Sequence, residues 1–173
     1  MKVKSKVFVE LIGALAVTAS LVFVGMQLML DRKVAVAEQY YNRTESVKED
    51  RRTLLLSPVF FQEIEYWWAI GERPSYWNED WEIAKQLDRG DYSVTTVFHR
   101  IVELQLSILG YDNIYFQYQQ GLIDEVTWQH FRAQIKRAVS EDPELTRNVY
   151  LHNARAVILP VIQEILHEVD SES

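Results

Sequence analysis

The chain of 173 residues contains no cysteine. That absence excludes disulfides, thiolate metal sites and cysteine nucleophiles, and it fits either redox compartment. Glycine occurs six times and proline four times, which leaves little room for a long linker or a low-complexity segment. Gly-rich phosphate loops, H-E-x-x-H helices and G-x-S-x-G elbows are missing from the sequence, so the commonest phosphate, zinc and serine chemistries have no motif here. No segment alternates apolar and polar residues between Gly or Asn turns, so strands are not expected.

Positive charge is scarce outside the N-terminal part. The formal net charge is −7. Residues 1–37 hold Lys2, Lys4, Lys6, Arg32 and Lys33 against Glu10 and Asp31, so the remainder carries −10 (−7 minus +3). A domain of that charge is repelled by phosphate backbones, which argues against a nucleic-acid partner. The same repulsion argues against the domain lying flat on anionic lipid.

What the chain does have is a long apolar run, Val7 to Leu30. No charged side chain lies between Leu11 and Met26, and only Gln27 interrupts the run beyond. About twenty helical residues, at about 1.5 Å each, cross a hydrocarbon core of roughly 30 Å. Lys2, Lys4 and Lys6 precede the run and Asp31-Arg32-Lys33 closes it, the polar flanks that a spanning helix needs. A secretory signal has a shorter apolar stretch, about 7–15 residues, ahead of a small-x-small cleavage site. Ala35-Val36-Ala37 offers such a site, but the run is too long and three charged residues separate the two. A buried core helix normally keeps a polar face, and this run has none. The expectation is an uncleaved transmembrane helix over residues 7–30, in contact with membrane lipid, behind a basic tail at residues 1–6.

Orientation follows from the distribution of Lys and Arg. The basic tail favours a cytoplasmic N-terminus, with the domain on the outer side of a bacterial inner membrane. Glu10 reads as an interfacial carboxylate within reach of Lys6, or as a polar contact to a partner helix. Gly13, Ala16 and Ser20 share a face on which another membrane helix has room to approach.

From Asp31 to Leu56 there is no Gly or Pro, and good helix formers dominate. The pattern predicts a helix over 31–56 extending out of the membrane, with Val36, Tyr40, Val47 and Leu54 packing on a helical domain at 57–173. Ser57-Pro58 restarts the chain as a cap followed by a first-turn proline, and Gly71 ends the helix that follows. A short helix is expected at Ser75–Leu87, then a long one from Tyr92 to Gln120 with Gly110 as a candidate bend. Asp124 caps a helix from Glu125 to Val139. Beyond Ser140-Glu141-Asp142-Pro143 a last helix runs to about Ala156, with Pro160 dividing it from Val161–Val169. The fold class is all-α: a transmembrane helix continuing into a soluble bundle of about five helices.

The densest feature of the domain is aromatic. Residues 60–81 hold Phe60, Phe61, Tyr66, Trp67, Trp68, Tyr76, Trp77 and Trp81, eight in 22 positions. Phe60, Ile64, Trp67 and Gly71 follow helical spacing, which reads as core packing; a membrane-level belt or a partner surface uses the same residue types.

A second stretch carries a resemblance. Tyr115-Phe-Gln-Tyr118-Gln119-Gln120-Gly121-Leu122-Ile123-Asp124-Glu125, followed by Trp128, resembles the YYQYxQGLLDExxW signature of a family of small single-pass, membrane-anchored helical bacterial proteins of unknown function. Ser20-Leu-Val-Phe-Val-Gly25-Met-Gln27 resembles the SLxFVGxQ anchor of the same family. The resemblance implies a fold and a location but no chemistry. It departs from the family pattern at the aromatic segment, Tyr66 to Trp81. In structural terms, Gly121 and Asp124 end one helix and start the next, while Tyr115, Tyr118 and Trp128 clasp the turn; the other reading is a ligand contact at Tyr118 and Gln119.

Catalytic groups are thinly spread. Glu164-Ile-Leu-His167 has the Glu-x-x-His spacing of di-metal bundles, but such a site needs a second pair and two further glutamates. His99 and Glu103 lie one helical turn apart, and His130 and His152 stand alone. No catalytic residue, metal site or cofactor is assigned, and an enzyme is not expected. The sequence reads as an interaction module or accessory subunit of a membrane assembly, with a protein partner or a homo-oligomer. The alternative is a small-ligand-binding or sensory bundle working through a partner. Trp67, Trp68, Trp77, Trp81, Tyr118 and Gln119 are the candidate contacts in the domain.

Overall fold

The computed structural model describes the backbone of residues 2–172, and side chains from residue 8 onward except Val9. The charged tips of the basic tail, and the Lys6 side chain expected near Glu10, lie outside the described residues. All regular structure among the described residues is helical: α1 (Lys2–Leu55), α2 (Pro58–Ala69), α3 (Glu82–Asp88), α4 (Val94–Gln119), α5 (Glu125–Glu141), α6 (Leu145–Asn153) and α7 (Leu159–Glu172). The chain divides into two units, Met1–Gln39 and Tyr40–Ser173.

The first unit is the N-terminal part of α1. Its apolar window has a mean hydropathy of 2.0 and none of it is buried, so the helix is long and apolar enough to cross a membrane. Every large apolar side chain described between Phe8 and Leu30 is exposed, from Ile12 at 50% to Leu21 and Met29 at 67%. Its hydroxyls bond back into the helix: Thr18 Oγ1 donates to the Ala14 carbonyl and Ser20 Oγ to that of Ala16, both at 2.9 Å. Polar groups satisfied within the helix are what a lipid-facing segment requires.

The second unit is built around α4, which packs against α2, α5 and α6; α5 and α6 also pack on α7 and on each other. One apolar cluster joins Val97, Ile101, Leu104 and Ile108 of α4 to Ile135 and Val139 of α5, Val149 and Tyr150 of α6, and Ile162 and Ile165 of α7. Burying side chains of this size stabilises by about 1.5–3 kcal/mol each, which is why the unit holds without disulfides. Salt bridges edge the α5–α7 seam, Arg132 to Glu164 and Glu168, and Lys136 to Glu168 and Glu172. They are partly exposed pairs that set register more than they add stability.

Helix ends follow local sequence chemistry. Ser57 accepts from Phe60 N–H at 3.3 Å with Pro58 in the first turn, and Asp124 accepts from Thr127 N–H at 2.7 Å. Gly121 ends α4 with φ +72. Its N–H donates to the Tyr118 carbonyl at 2.8 Å, and that of Leu122 to Gln117 at 3.0 Å, the paired bonds of a Schellman cap. A Cβ at Gly121 would meet nothing within 4 Å, so the cost of Gly121→Ala is backbone strain alone. Thermal unfolding should register a loss of about 1–2 kcal/mol; an unchanged melting temperature would contradict the left-handed cap.

Three expectations are corrected. Residues 74–81 are turns, not the first half of a Ser75–Leu87 helix: Trp77 N–H donates to Pro74, and Asn78 Oδ1 takes the Asp80 N–H at 2.9 Å, a side-chain bond that competes with a helix. Gly110 does not interrupt α4, and a Cβ there would meet Lys48 Nζ at an ordinary contact distance of 3.6 Å. The α1 seam within the second unit also differs from the expected apolar stripe. Tyr40 packs inward as expected, but Leu54 is 42% exposed, and Thr44 and Arg51 take inward places through polar contacts. In the first unit, Val36 is 41% exposed.

Candidate functional site

The α2 helix is apolar on nearly every side, and only one of its faces is covered. Ile64 is 3% exposed, Phe61 stacks on His99 at 4.5 Å, and Trp68 meets Phe98 edge-to-face at 5.9 Å. On the other side Val59 is 63% exposed, Tyr66 62%, Trp67 47% and Ile70 57%. With Glu63 these positions step by three and four along the helix, so they form one stripe. Trp67 therefore lies outside the core. The expected spacing of Phe60, Ile64 and Trp67 is off by one residue at its last member, and Trp68 turns inward instead.

Gly71 aims the chain that follows. With φ +88 it closes α2, its N–H donating to the Trp68 carbonyl at 3.1 Å and that of Glu72 to Trp67 at 2.9 Å. The turn brings Arg73 back over the helix end. Its guanidinium lies 3.8 Å from the centre of the Trp68 ring, and Nη1 donates to the Trp68 carbonyl at 2.7 Å. Nε lies 3.3 Å from a Glu79 carboxylate oxygen. Cation–π contact, backbone bond and ion pair together fix the group. Between α2, this turn and Phe98 lies a groove of about 520 Å³, walled by Trp67, Trp68, Ile70, Arg73, Pro74 and Phe98. Pro74 and Phe98 also wall a second groove, where Arg51 donates to Gln105 beside Tyr76. Burial lowers the pKa of Arg51 and raises that of Tyr76.

The remaining tryptophans are structural. Trp68, Trp77 and Trp81 make a chain of edge-to-face contacts, 4.9 Å and 5.5 Å between centroids. Trp81 is 8% exposed and Trp77 packs against the core. The expectation that Trp77 is an exposed contact is thus overturned, because the turn at 74–77 folds its ring inward. Trp77→Ala should lower stability by about 3–5 kcal/mol. Trp67→Ala, on the open stripe, should cost well under half of that; equal losses on chemical unfolding would show that the stripe is not open.

Tyr118 and Gln119 lie elsewhere. Phe98 and Tyr118 are separated by about 30 Å of helix rise along α4, so no pocket joins Tyr118 to Trp67, Trp68 and Trp77. Tyr118 stacks on Trp128 at 5.6 Å and donates to Glu125, Tyr115 tilts against Trp128 at 4.8 Å, and Gln119 is exposed. This clasp spans the turn as the motif predicts. The hydrogen bond from Tyr118 lowers the pKa of Glu125, and in return raises that of Tyr118. In the first unit Glu10, Gly13, Ala16 and Ser20 are all exposed, and a Cβ on Gly13 would meet nothing within 4 Å.

A buried polar cluster in the second unit had no sequence signal beyond isolated charges. Asp112, 1% exposed, accepts from Tyr40 Oη at 2.5 Å and from Arg155 Nη1 at 3.4 Å; Arg155 Nη1 also reaches Thr44 Oγ1 at 3.2 Å. Tyr40 stacks on Phe116 at 4.1 Å. Burial raises the Asp112 carboxyl against the opposing pull of Tyr40 and Arg155, and burial together with the Asp112 bond pushes Tyr40 up to about 12. Among the described residues Asp112 Oδ1 finds no hydrogen-bond partner.

The histidine pairs are held apart from one another. His99 is stacked on Phe61, and Glu164 accepts from Arg132 at 3.0 Å. Among the described residues no group of three or more His, Asp or Glu is placed to hold a metal ion. Sequence reasoning also missed Arg73, although it is the one basic residue between Arg52 and Lys85, and its isolation within the aromatic segment was the available signal. No family model, curated protein or solved structure matches the chain.

Proposed function

We propose that this chain is a single-pass protein of a bacterial inner membrane whose helical unit is an interaction module or accessory subunit of a membrane assembly. The observation that carries the reading is the uncovered stripe of α2, from Val59 to Ile70. A contiguous exposed patch with tryptophan and tyrosine, on a helix whose opposite face is already packed, is the composition of a partner surface. Residues 7–30 supply the anchor: the segment has the needed length, and every large apolar side chain described between Phe8 and Leu30 is exposed. Lys2, Lys4 and Lys6 ahead of it favour a cytoplasmic N-terminus. Extraction from native membranes in mild detergent, followed by particle mass and identification of co-eluting chains, tests the reading. A reproducible stoichiometric partner is the expected result.

The second reading is small-ligand binding in the groove beside Trp68, whose volume of about 520 Å³ lies in the range of ligand pockets, about 300–1,000 Å³. A lone monomer that gains thermal stability with a small molecule would favour it.

A further inference from the structure

The acidic side chains around the α2 stripe say what kind of partner fits it. Between residues 53 and 84 the chain carries Glu63, Glu65, Glu72, Glu79, Asp80 and Glu82 against Arg73 alone. Arg73 is already engaged by Trp68 and Glu79, and Glu65 accepts from Thr95 at 2.9 Å. Glu63, in the middle of the exposed stripe, and Glu72, on the wall of the groove, are exposed carboxylates in no ion pair among the described residues; Arg73 reaches only the Glu72 backbone carbonyl, at 3.1 Å. Glu63 sits on the helix itself, and Glu72 follows the left-handed turn at Gly71 at the C-terminal end of the same stripe.

Two other occupants fit less well. Antiparallel pairing of two copies through this stripe would place Glu63, near the midpoint of α2, against the same carboxylate of the second copy, an unpaired like-charge contact in an apolar interface. Anionic lipid headgroups would face the unpaired carboxylates of Glu63 and Glu72, with Arg73 already engaged.

We propose, resting on the reading of the chain as an interaction module, that the outward face of α2 docks a basic amphipathic helix of a partner protein. One apolar residue of that helix fills the groove between Trp67, Ile70 and Phe98. Lysines or arginines flanking that residue meet Glu63 and Glu72. This is helix-in-groove recognition, with the apolar anchor supplying affinity and the charges supplying selectivity and register.

The test uses the full chain in uncharged detergent and two fluorescent helical peptides. They share one apolar face with a central leucine or tryptophan, and their flanking positions are either lysine or glutamate. Anisotropy should show the lysine peptide binding at least about tenfold more tightly than the glutamate peptide, with binding weakening as salt is raised. Glu63→Lys with Glu72→Lys should reverse the preference, and Trp67→Ala should weaken binding by about tenfold or more. Asp50→Lys with Glu141→Lys changes net charge equally at other exposed positions and should leave the preference intact. Equal binding of the two peptides, no binding of either, or equal loss in both charge-reversed pairs would overturn the proposal. The two readings separate in native membranes. A stoichiometric partner that survives Glu63→Lys with Glu72→Lys overturns this surface and leaves the interaction module standing, whereas absence of any partner for the unaltered chain removes the module itself.

Discussion

Leu15→Arg combined with Leu21→Arg is expected to abolish membrane integration of the full chain. Residues 7–30 contain thirteen Leu, Ile, Val and Phe residues. At about −0.3 to −0.6 kcal/mol each they favour insertion by about 4–8 kcal/mol. An arginine near the centre of a span costs about 2.5–3.5 kcal/mol, so two of them offset most or all of that gain. In the described structure both leucines are exposed and touch no core, Leu15 at 61% and Leu21 at 67%. The substitutions should therefore leave the helical signal of the domain intact while the protein leaves the alkali-washed membrane fraction. Leu15→Ile with Leu21→Ile keeps the apolar surface and should stay with the membrane. Retention of the arginine variant would mean that something other than this run holds the protein there.

Arg155→Met should be the most damaging single exchange in the polar cluster. It removes the only cation paired with Asp112 among the described residues, leaving a carboxylate of 1% exposure with Tyr40 as its remaining donor. Breaking such a pair typically costs about 3–5 kcal/mol. Part of Arg155 remains solvated, so the lower end applies here. The pH dependence identifies the cause. Burial raises the Asp112 carboxyl above its unfolded value. Its contribution to stability is therefore fully present below the unfolded carboxylate value, about 3.9, and is lost as pH rises through the folded one. Losing Arg155 removes a lowering influence and widens that window upward. The variant should come closest to the parent in acid and fall furthest behind near neutrality. Asp112→Asn in the Arg155→Met background should recover much of the loss, because no buried charge is left unpaired. A pH-independent deficit, or no recovery by asparagine, would place the damage in packing instead.

The helical class and most helix ends were legible because they rest on local chemistry. Ser57-Pro58, Gly121 and Asp124 each act through bonds made within a few residues, and the structure shows those bonds. The division after α6 was legible in part. The chain leaves α6 at Ala154, where ψ is 132, and re-enters a helix at Leu159, with Pro160 in the first turn, where its missing N–H costs nothing. What the proline signal does not reveal is the consequence, that the break delivers Arg155 to Asp112. The bonds from Tyr40 and Arg155 to Asp112 span 72 and 43 residues and the bond from Arg155 to Thr44 spans 111, and no periodicity records them. The choice between Trp67 and Trp68 turned on one residue of helical phase in a segment where large apolar residues lie on both the covered and the open face. Arg73 was hidden for another reason: its position depends on the left-handed turn at Gly71, not on helical spacing.

An intact-mass measurement on protein recovered from alkali-washed membranes tests the anchor most directly, because it asks at once where the chain is and whether residues 7–30 are still attached. The structure carries α1 unbroken through Ala35-Val36-Ala37 to Leu55. The account predicts a membrane-bound chain that retains Val7–Leu30. A mature form beginning at Glu38, or recovery of the intact chain in the soluble fraction, would contradict it.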